Sequence, residues 1–431
     1  MKFPRRGRRV LAAFSMTVAA AIALAGCSSG TPATTTAPSD PAKVSGAITF
    51  SAWWAYANQA LIDGFKTKYP NVKVTLNFTA IDSYPTKLQS LASAGNLPDV
   101  FAAQGPTLVA LSKANQLYDL KGALAQPAYD GSASWKSTFN PTLLSGANAG
   151  TDTAGGKTAG IPFNAISVAS VYNKTAFEKA GVTPPTDFAG LLSNCQKLHD
   201  AGYIPMSLTG KVWGVWWPFL AWDQTMKGEK ASSFSVSDPN YIKGFQLVKQ
   251  MADAHCWDSS QVATDIAGET SLFLQQKTAQ FVTVPENFLQ SVSEGAKFPL
   301  GSYVLPAMDG KTPNRILGGG NANVIAISAK TKNPAAAIAF AKYLTSDAVE
   351  TKLAKENFTL PSTNVDVSSS SPLMSAYLKA ASNGFTDSAE YLPTMTPAGA
   401  TKFANEIFPA LVLGKISPAQ AAAETSGIYA K

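Results

Sequence analysis

The chain has 431 residues, 45% of them hydrophobic and 15% charged, with a formal net charge of +7. Lys2, Arg5, Arg6, Arg8 and Arg9 supply most of that excess, so the chain beyond Cys27 holds only about +2 and gives no basis for nucleic acid binding. A body of this length is more than one core usually serves, so two domains are expected; the two histidines lack ligand-spaced partners, so no metal centre or cofactor is.

The basic residues precede an apolar run from Val10 to Ala25 that ends at Leu24-Ala25-Gly26-Cys27. Basic residues, a short apolar stretch and small residues before a processing site make a secretory signal over residues 1–26, too short to cross about 30 Å of hydrocarbon comfortably. A cysteine directly after Leu-Ala-Gly resembles the lipobox of bacterial lipoproteins, which implies that Cys27 is lipidated and the mature chain tethered outside the membrane. The alternative is an ordinary secretory signal with a cysteine near its end. Arg8-Arg9-Val10-Leu11-Ala12 also resembles a twin-arginine signal, which leaves the export route open. From Ser28 to Ser45 the chain reads Ser, Thr, Ala and Pro with almost no apolar bulk, too little to offset its ordering entropy. Residues 27–45 therefore read as a disordered tether, roughly 25 Å long as a flexible coil.

In the body, Ala47 to Trp53 and Val72 to Phe78 are short runs rich in β-branched and aromatic residues, flanking a helical stretch from Gln59 to Lys68. This is a strand–helix–strand unit, and such alternation argues an α/β fold with a parallel sheet. Tyr84 to Ala94 reads as an amphipathic helix stopped by Gly95-Asn96, and Asp99-Val100-Phe101-Ala102 begins the next strand. Cys195 and Cys256 are the cysteines left once Cys27 is lipidated; in an oxidising compartment they form either a disulfide or two separate buried thiols.

Three blocks carry a resemblance. The first is Phe65 to Val74, then Lys87-Leu88 and Ala94-Gly95-Asn96-Leu97-Pro98-Asp99-Val100-Phe101. The second is Ala159-Gly160-Ile161-Pro162-Phe163, then Val171-Tyr172-Asn173-Lys174 to Gly181 and Pro184-Pro185-Thr186, with a helix from Asp187 to Ala201. The third is Gly318-Gly319-Gly320 with Val324 to Ser328, Asn333-Pro334-Ala335 to Phe340, and Leu360-Pro361. In this order they resemble the extracellular solute-binding proteins of carbohydrate ABC importers. The resemblance implies a two-lobed, periplasmic-binding-protein-like α/β fold with discontinuous lobes and ligand in the cleft between them. Lobe 1 would hold residues 46–162 plus 316–360 and lobe 2 residues 163–315 plus 361–431, with crossings near Pro162, Arg315 and Pro361. It further implies a monomer held at the membrane by its lipid, with a carbohydrate as ligand and ABC permease subunits, driven by a cytoplasmic ATPase, as partners.

Such folds place ligand at loops beyond the carboxyl ends of strands, which points at Trp53, Trp54, Tyr56 and Gln104. A pyranose ring has a face of C–H bonds that a flat indole covers well, so Trp213, Trp216 and Trp217 suit a sugar, with Trp216 or Trp217 expected to stack on it. Trp53 and Trp54 would point opposite ways in an extended strand, so one of them belongs to the core. Asn164 at the crossing offers an amide that donates and accepts, Glu286 and Asn287 follow a strand ending at Pro285, and Gly320, Asn321 and Asn323 belong to the glycine run. Asp82 is a ligand contact or a helix cap, and Asp99 reads as structural.

Catalysis finds little support. His255 stands beside Cys256, but sequence neighbours rarely face each other productively, and a bridged cysteine is inert. Gly155-Gly156-Lys157-Thr158 imitates the end of a P-loop, yet Thr151 holds the upstream glycine position, and an exported protein meets no ATP. Two carboxylates about 5 to 10 Å apart would suffice for a glycosidase, so a secreted glycoside hydrolase stays as one rival and a glycan-binding lipoprotein without transport as another.

Overall fold

The first strand, β1 (Gly46–Ala52), buries Ile48, Phe50 and Ala52 on alternate positions, the period of a pleated strand. Asn58 caps the next helix, Gln59–Lys66, by accepting from the Leu61 amide, and that helix lays Leu61, Ile62 and Phe65 on the sheet. Strand β2 (Val72–Phe78) then pairs parallel to β1, in register from Gly46 with Val72 to Ala52 with Phe78. Helix Tyr84–Ser93 leads to β3 (Val100–Ala103), parallel to β1 on its other side and buried throughout. The computed structural model describes residues 40–80, 83–103, 105–131, 133–148, 150–210, 216–226, 237–286, 288–311, 316–318, 323–383, 385–387 and 397–428. The leader, Cys27 and the tether lie outside them, as do Arg315 and the crossing expected there.

After β4 (Ile161–Ala165), strands β5 (Ala169–Asn173), β6 (Gln280–Thr283) and β7 (Leu300–Tyr303) form an antiparallel sheet in the order β6-β5-β7. Strand β8 (Ile316–Gly318) pairs with β11 (Phe385–Asp387). Strands β9 (Asn323–Ile327) and β10 (Leu360–Pro361) join the first sheet, whose order is β10-β4-β9-β3-β1-β2. That sheet is mixed, where the helix–strand alternation alone argues a parallel one. β9 runs antiparallel to both β3 and β4, and β10 antiparallel to β4. The reason is the route of the chain: β4 leaves the sheet at the end where β1 and β3 finish, and β9 comes back in at that same end.

Buried apolar residues form three clusters. One fills the first lobe from Val44 to Phe163 and again from Val324 to Leu353. A second, from Ala176 to Met308 and from Phe403 to Ala422, fills the other lobe. A third gathers Ala165, Val171, Phe281, Leu289, Leu360 and Tyr377 beside the crossovers. In the second lobe, helix Phe188–Asp200, capped by Asp187, is joined to the end of helix Pro239–Asp253 by a disulfide between Cys195 and Cys256. Trp222 on helix Trp216–Met226 stacks on Tyr241 at 4.7 Å and donates its indole N–H to the Tyr241 carbonyl. Among the described residues no helix is long and apolar enough to cross a membrane.

Candidate functional site

Strands β1, β3 and β4 end, and β9 begins, along one edge of the first sheet. Residues just past these ends face the second lobe, as the rule for open α/β sheets requires. Two features of sequence build the polar part. The β4–β9 register pairs Asn164 with Asn323 across a bulge after Pro162, so two amides stand side by side. From the second lobe, β6 runs through Val284-Pro285 to Glu286, ending beside the segment that leads from β4 into β5.

These groups meet. Glu286 accepts from Tyr56 Oη at 3.2 Å, from Asn323 Nδ2 at 3.2 Å and from Asn164 Nδ2. Burial between the lobes pushes the Glu286 carboxyl up to about 7, against the three donors, which favour the ionised form. Tyr56 is pushed up as well, by burial and by the carboxylate it faces. Next to this cluster lie three rings: Trp54 is parallel to Tyr56 at 6.1 Å and packs on Phe163 at 4.6 Å. Trp54 Nε1 and Asn164 Oδ1 are buried with no hydrogen-bond partner among the described residues. A buried donor and a buried acceptor left open cost about 1–3 kcal/mol each, so they point to a polar guest.

The other candidates distribute as follows. Trp53 is half-buried, against Trp54 at 5.1 Å and Tyr84 at 4.9 Å, and Trp54 is the buried member of the pair. Trp217, one of the two tryptophans of which either was expected to stack on ligand, is only 3% exposed and packs edge-on against Trp257 in the second core, where it also lines a cavity of about 10 Å³ with Val168 and Val284. A mixed run of tryptophans does not reveal which face the helix buries, and Trp217 and Trp222 both turn inward. Asp82, Gln104, Trp213, Asn287, Gly320 and Asn321 lie outside the described residues, as does the Trp216 side chain. Asp99 is structural: its carboxylate accepts from the Thr49 amide and hydroxyl and from Thr331.

Two contributors escaped the sequence reading. Phe163 belongs to the aromatic stack, yet nothing in one sequence separates it from a core phenylalanine. Glu269, fully buried, accepts from the Leu208 and Thr209 amides and from Gln261, fixing the backbone just before the tryptophan-rich run. Its helical position gives no hint of that role.

A groove of about 750 Å³ lies apart from this site, on the second lobe beside His199, Tyr203, His255 and Lys277. The two imidazoles there stack on each other at 4.6 Å, and Cys256 is bridged, so the His255–Cys256 pair holds no free thiol. Among the described residues no group of three His, Cys, Asp or Glu could hold a metal ion. The seam between the lobes thus gathers one carboxylate, two amides and a tyrosine hydroxyl beside the buried rings of Trp54, Tyr56 and Phe163.

Residues 45–351 match the family described as bacterial extracellular solute-binding protein. The sn-glycerol-3-phosphate-binding periplasmic protein UgpB of Rhizobium meliloti (strain 1021) is 24% identical over 242 residues, 52% of this chain and 51% of that protein. The chain spans about half the length of the curated relatives it matches. Among solved structures, the GacH receptor of Streptomyces glaucescens GLA.O, known unliganded and with acarbose, has a TM-score of 0.69 at 22% identity, covering 89% of this chain and 97% of its own. A chitin oligosaccharide binding protein has a TM-score of 0.72 at 17% identity, covering 89% and 98%. At these identities the likeness is one of fold.

Proposed function

The chain belongs to the bacterial extracellular solute-binding protein family, and on that footing we propose that it is the capture subunit of an ABC importer whose ligand is an uncharged sugar, held in the seam around Glu286. The carrying observation is that one carboxylate from the second lobe meets two amides and a hydroxyl from the first, beside the Trp54–Tyr56–Phe163 rings. A sugar fits both parts once the lobes part and uncover them: its C–H face would lie on an aromatic ring while its hydroxyls donate to the carboxylate and exchange bonds with the amides. Ligand contacts reach both lobes only when they are together, so binding shifts the population towards the closed form that a permease would recognise.

UgpB relatives carry a phosphorylated ligand in their name, and the fold neighbours include a binder of chitin oligosaccharide. The seam favours the second class. A phosphate would bring like charge to Glu286, and among the described residues no lysine, arginine or histidine bonds to that carboxylate to offset it. Capture without turnover and a lipid anchor at Cys27 complete the reading.

A thermal-shift screen decides it. Neutral mono- and oligosaccharides are expected to include one that raises the melting temperature, and sn-glycerol 3-phosphate is expected to leave it unchanged. The reverse pattern would sink the assignment. With the sugar in hand, N164A and N323A should each weaken binding by about tenfold, the loss of one bond of about 1.4 kcal/mol, in titration calorimetry. Cys27→Ala should abolish incorporation of labelled palmitate and release the protein into the medium.

A further inference from the structure

Glu286 takes bonds from Tyr56, Asn164 and Asn323 at once, and these are the first-lobe groups that the sugar-capture reading gives to the ligand. The protein's own carboxylate thus stands where ligand oxygens would stand. It does so incompletely, because Asn164 Oδ1 and Trp54 Nε1 stay without partners among the described residues. The ionised carboxylate can only accept and its protonated form has a single proton to offer, whereas a diol brings two hydroxyls that each donate and accept.

We infer that Glu286 is a built-in stand-in for the ligand: it latches the two lobes through Tyr56, Asn164 and Asn323, and a polyhydroxylated ligand binds by coming between them, its hydroxyls accepting from those three groups and donating to the carboxylate. The exchange rests on the sugar-capture reading; the latch does not. Ligands are then selected by their capacity to replace three bonds and also to satisfy the open amide oxygen, which favours vicinal diols over deoxy analogues.

The electrostatics give the latch a pH dependence of definite sign. Among the described residues Tyr56, from the loop after β1, is the titratable group that bonds to Glu286, while β4 and β9 bring neutral amides. In the closed form burial pushes the carboxyl up to about 7, and parting the lobes returns it to water and towards its ordinary 4.5. The closed form therefore holds the proton more tightly, and rising pH favours opening, by at most about two orders of magnitude in the open-to-closed ratio.

The test is small-angle scattering on purified mature protein with no sugar added, for wild type, E286Q and E286A at about pH 5 and about pH 8. Wild type should be more expanded at the higher pH. E286Q, neutral and of the same shape, should stay compact at both, and E286A should be expanded at both. If E286A, folded by circular dichroism, is as compact as wild type at both pH values, the latch does not exist. Should E286A not fold, the N164A/N323A double variant removes the same bonds from the other lobe, and its failure to expand the protein overturns the inference equally. Failure of the sugar reading shows separately, as an absence of any carbohydrate that shifts the melting temperature, while sugar-free scattering still reports on the latch.

Discussion

Glu350 is a second carboxyl that burial pushes up to about 7, and it does a different job from Glu286. It sits on helix Asp347–Asn357, 2% exposed, and accepts from the amides and hydroxyls of Ser362 and Thr363, directly after β10. A raised folded value means that the fold prefers the protonated acid. The contribution is therefore complete below about 4.5, the ordinary value, and is lost as pH rises through about 7, by up to roughly 3 kcal/mol. Melting temperatures across that window should fall for wild type and fall less steeply for E350Q; parallel curves would exclude Glu350 as the source. Backbone strain sets another residue-scale expectation. Gly46 has φ +126°, and a Cβ there would stand 2.4 Å from Asn333 Oδ1, whose amide donates to Ala47 O. Gly46→Ala should cost about 2–4 kcal/mol in urea unfolding, whereas a change under 0.5 kcal/mol, about the size of an ordinary surface substitution, would show the start of β1 adaptable. At this scale sequence marked Asn164 and Glu286 as candidates through their places after the crossing and after a strand. It could not show that they touch, because their contact spans 122 residues and depends on both lobes. Phe163 and Glu350 gave no signal, since a buried aromatic and a helix-borne carboxylate are ordinary in any sequence.

Among the elements, helix Pro141–Asn148 is tied to the start of β4 by one side chain. Asn148 donates to Leu144 O and Gly160 O and accepts from the Ala159 and Gly160 amides, all while 2% exposed. The approach is close enough that a Cβ on Gly160 would lie 2.4 Å from Ala147 O. Asn148→Leu keeps the volume but strands two buried amides and a carbonyl, so it should destabilise by about 2–4 kcal/mol and raise hydrogen exchange at Ala159 and Gly160 above that of the β1 core. Unchanged protection at those two amides would mean that backbone packing, not Asn148, holds the joint. Elements such as β1, the Gln59–Lys66 helix and β2 were legible because their signals are local: two short runs rich in β-branched and aromatic residues on either side of a helical stretch. The direction of β9 was not, because residues 166 to 322 separate it from β4 and its orientation follows from where the chain comes back. Nor was the inward turn of Trp217 and Trp222 on helix Trp216–Met226, for a similar reason. Their partners, Tyr241 and Trp257, lie well along the chain, and only packing against them decides that the apolar face turns inward.

For the whole molecule, the two lobes differ in how they are held. The first lobe's core rests on strand pairing and apolar packing, with Trp135 anchored by its indole N–H to Thr345. The second has a covalent staple, Cys195 to Cys256, closing a loop over a separation of 61 residues between two of its helices. In the chain-entropy account such a loop is worth roughly 4 kcal/mol, a large share of the 5–15 kcal/mol that holds an ordinary domain. Reduction should therefore weaken one lobe and leave the other's core intact. The tryptophans allow the two to be told apart, since Trp53, Trp54 and Trp135 report on the first lobe and Trp217, Trp222 and Trp257 on the second. With a reductant, or in the C195S/C256S variant, thermal unfolding followed by fluorescence should split into two steps. The early one should belong to the second-lobe tryptophans and should lose amplitude when Trp222 and Trp257 are replaced by phenylalanine. A single transition shifted as a whole would instead mean that the seam around Glu286 couples the lobes more strongly than the staple stabilises one of them. The added ligand that tightens that seam should then merge the two steps into one, because closure makes each lobe's stability depend on the other.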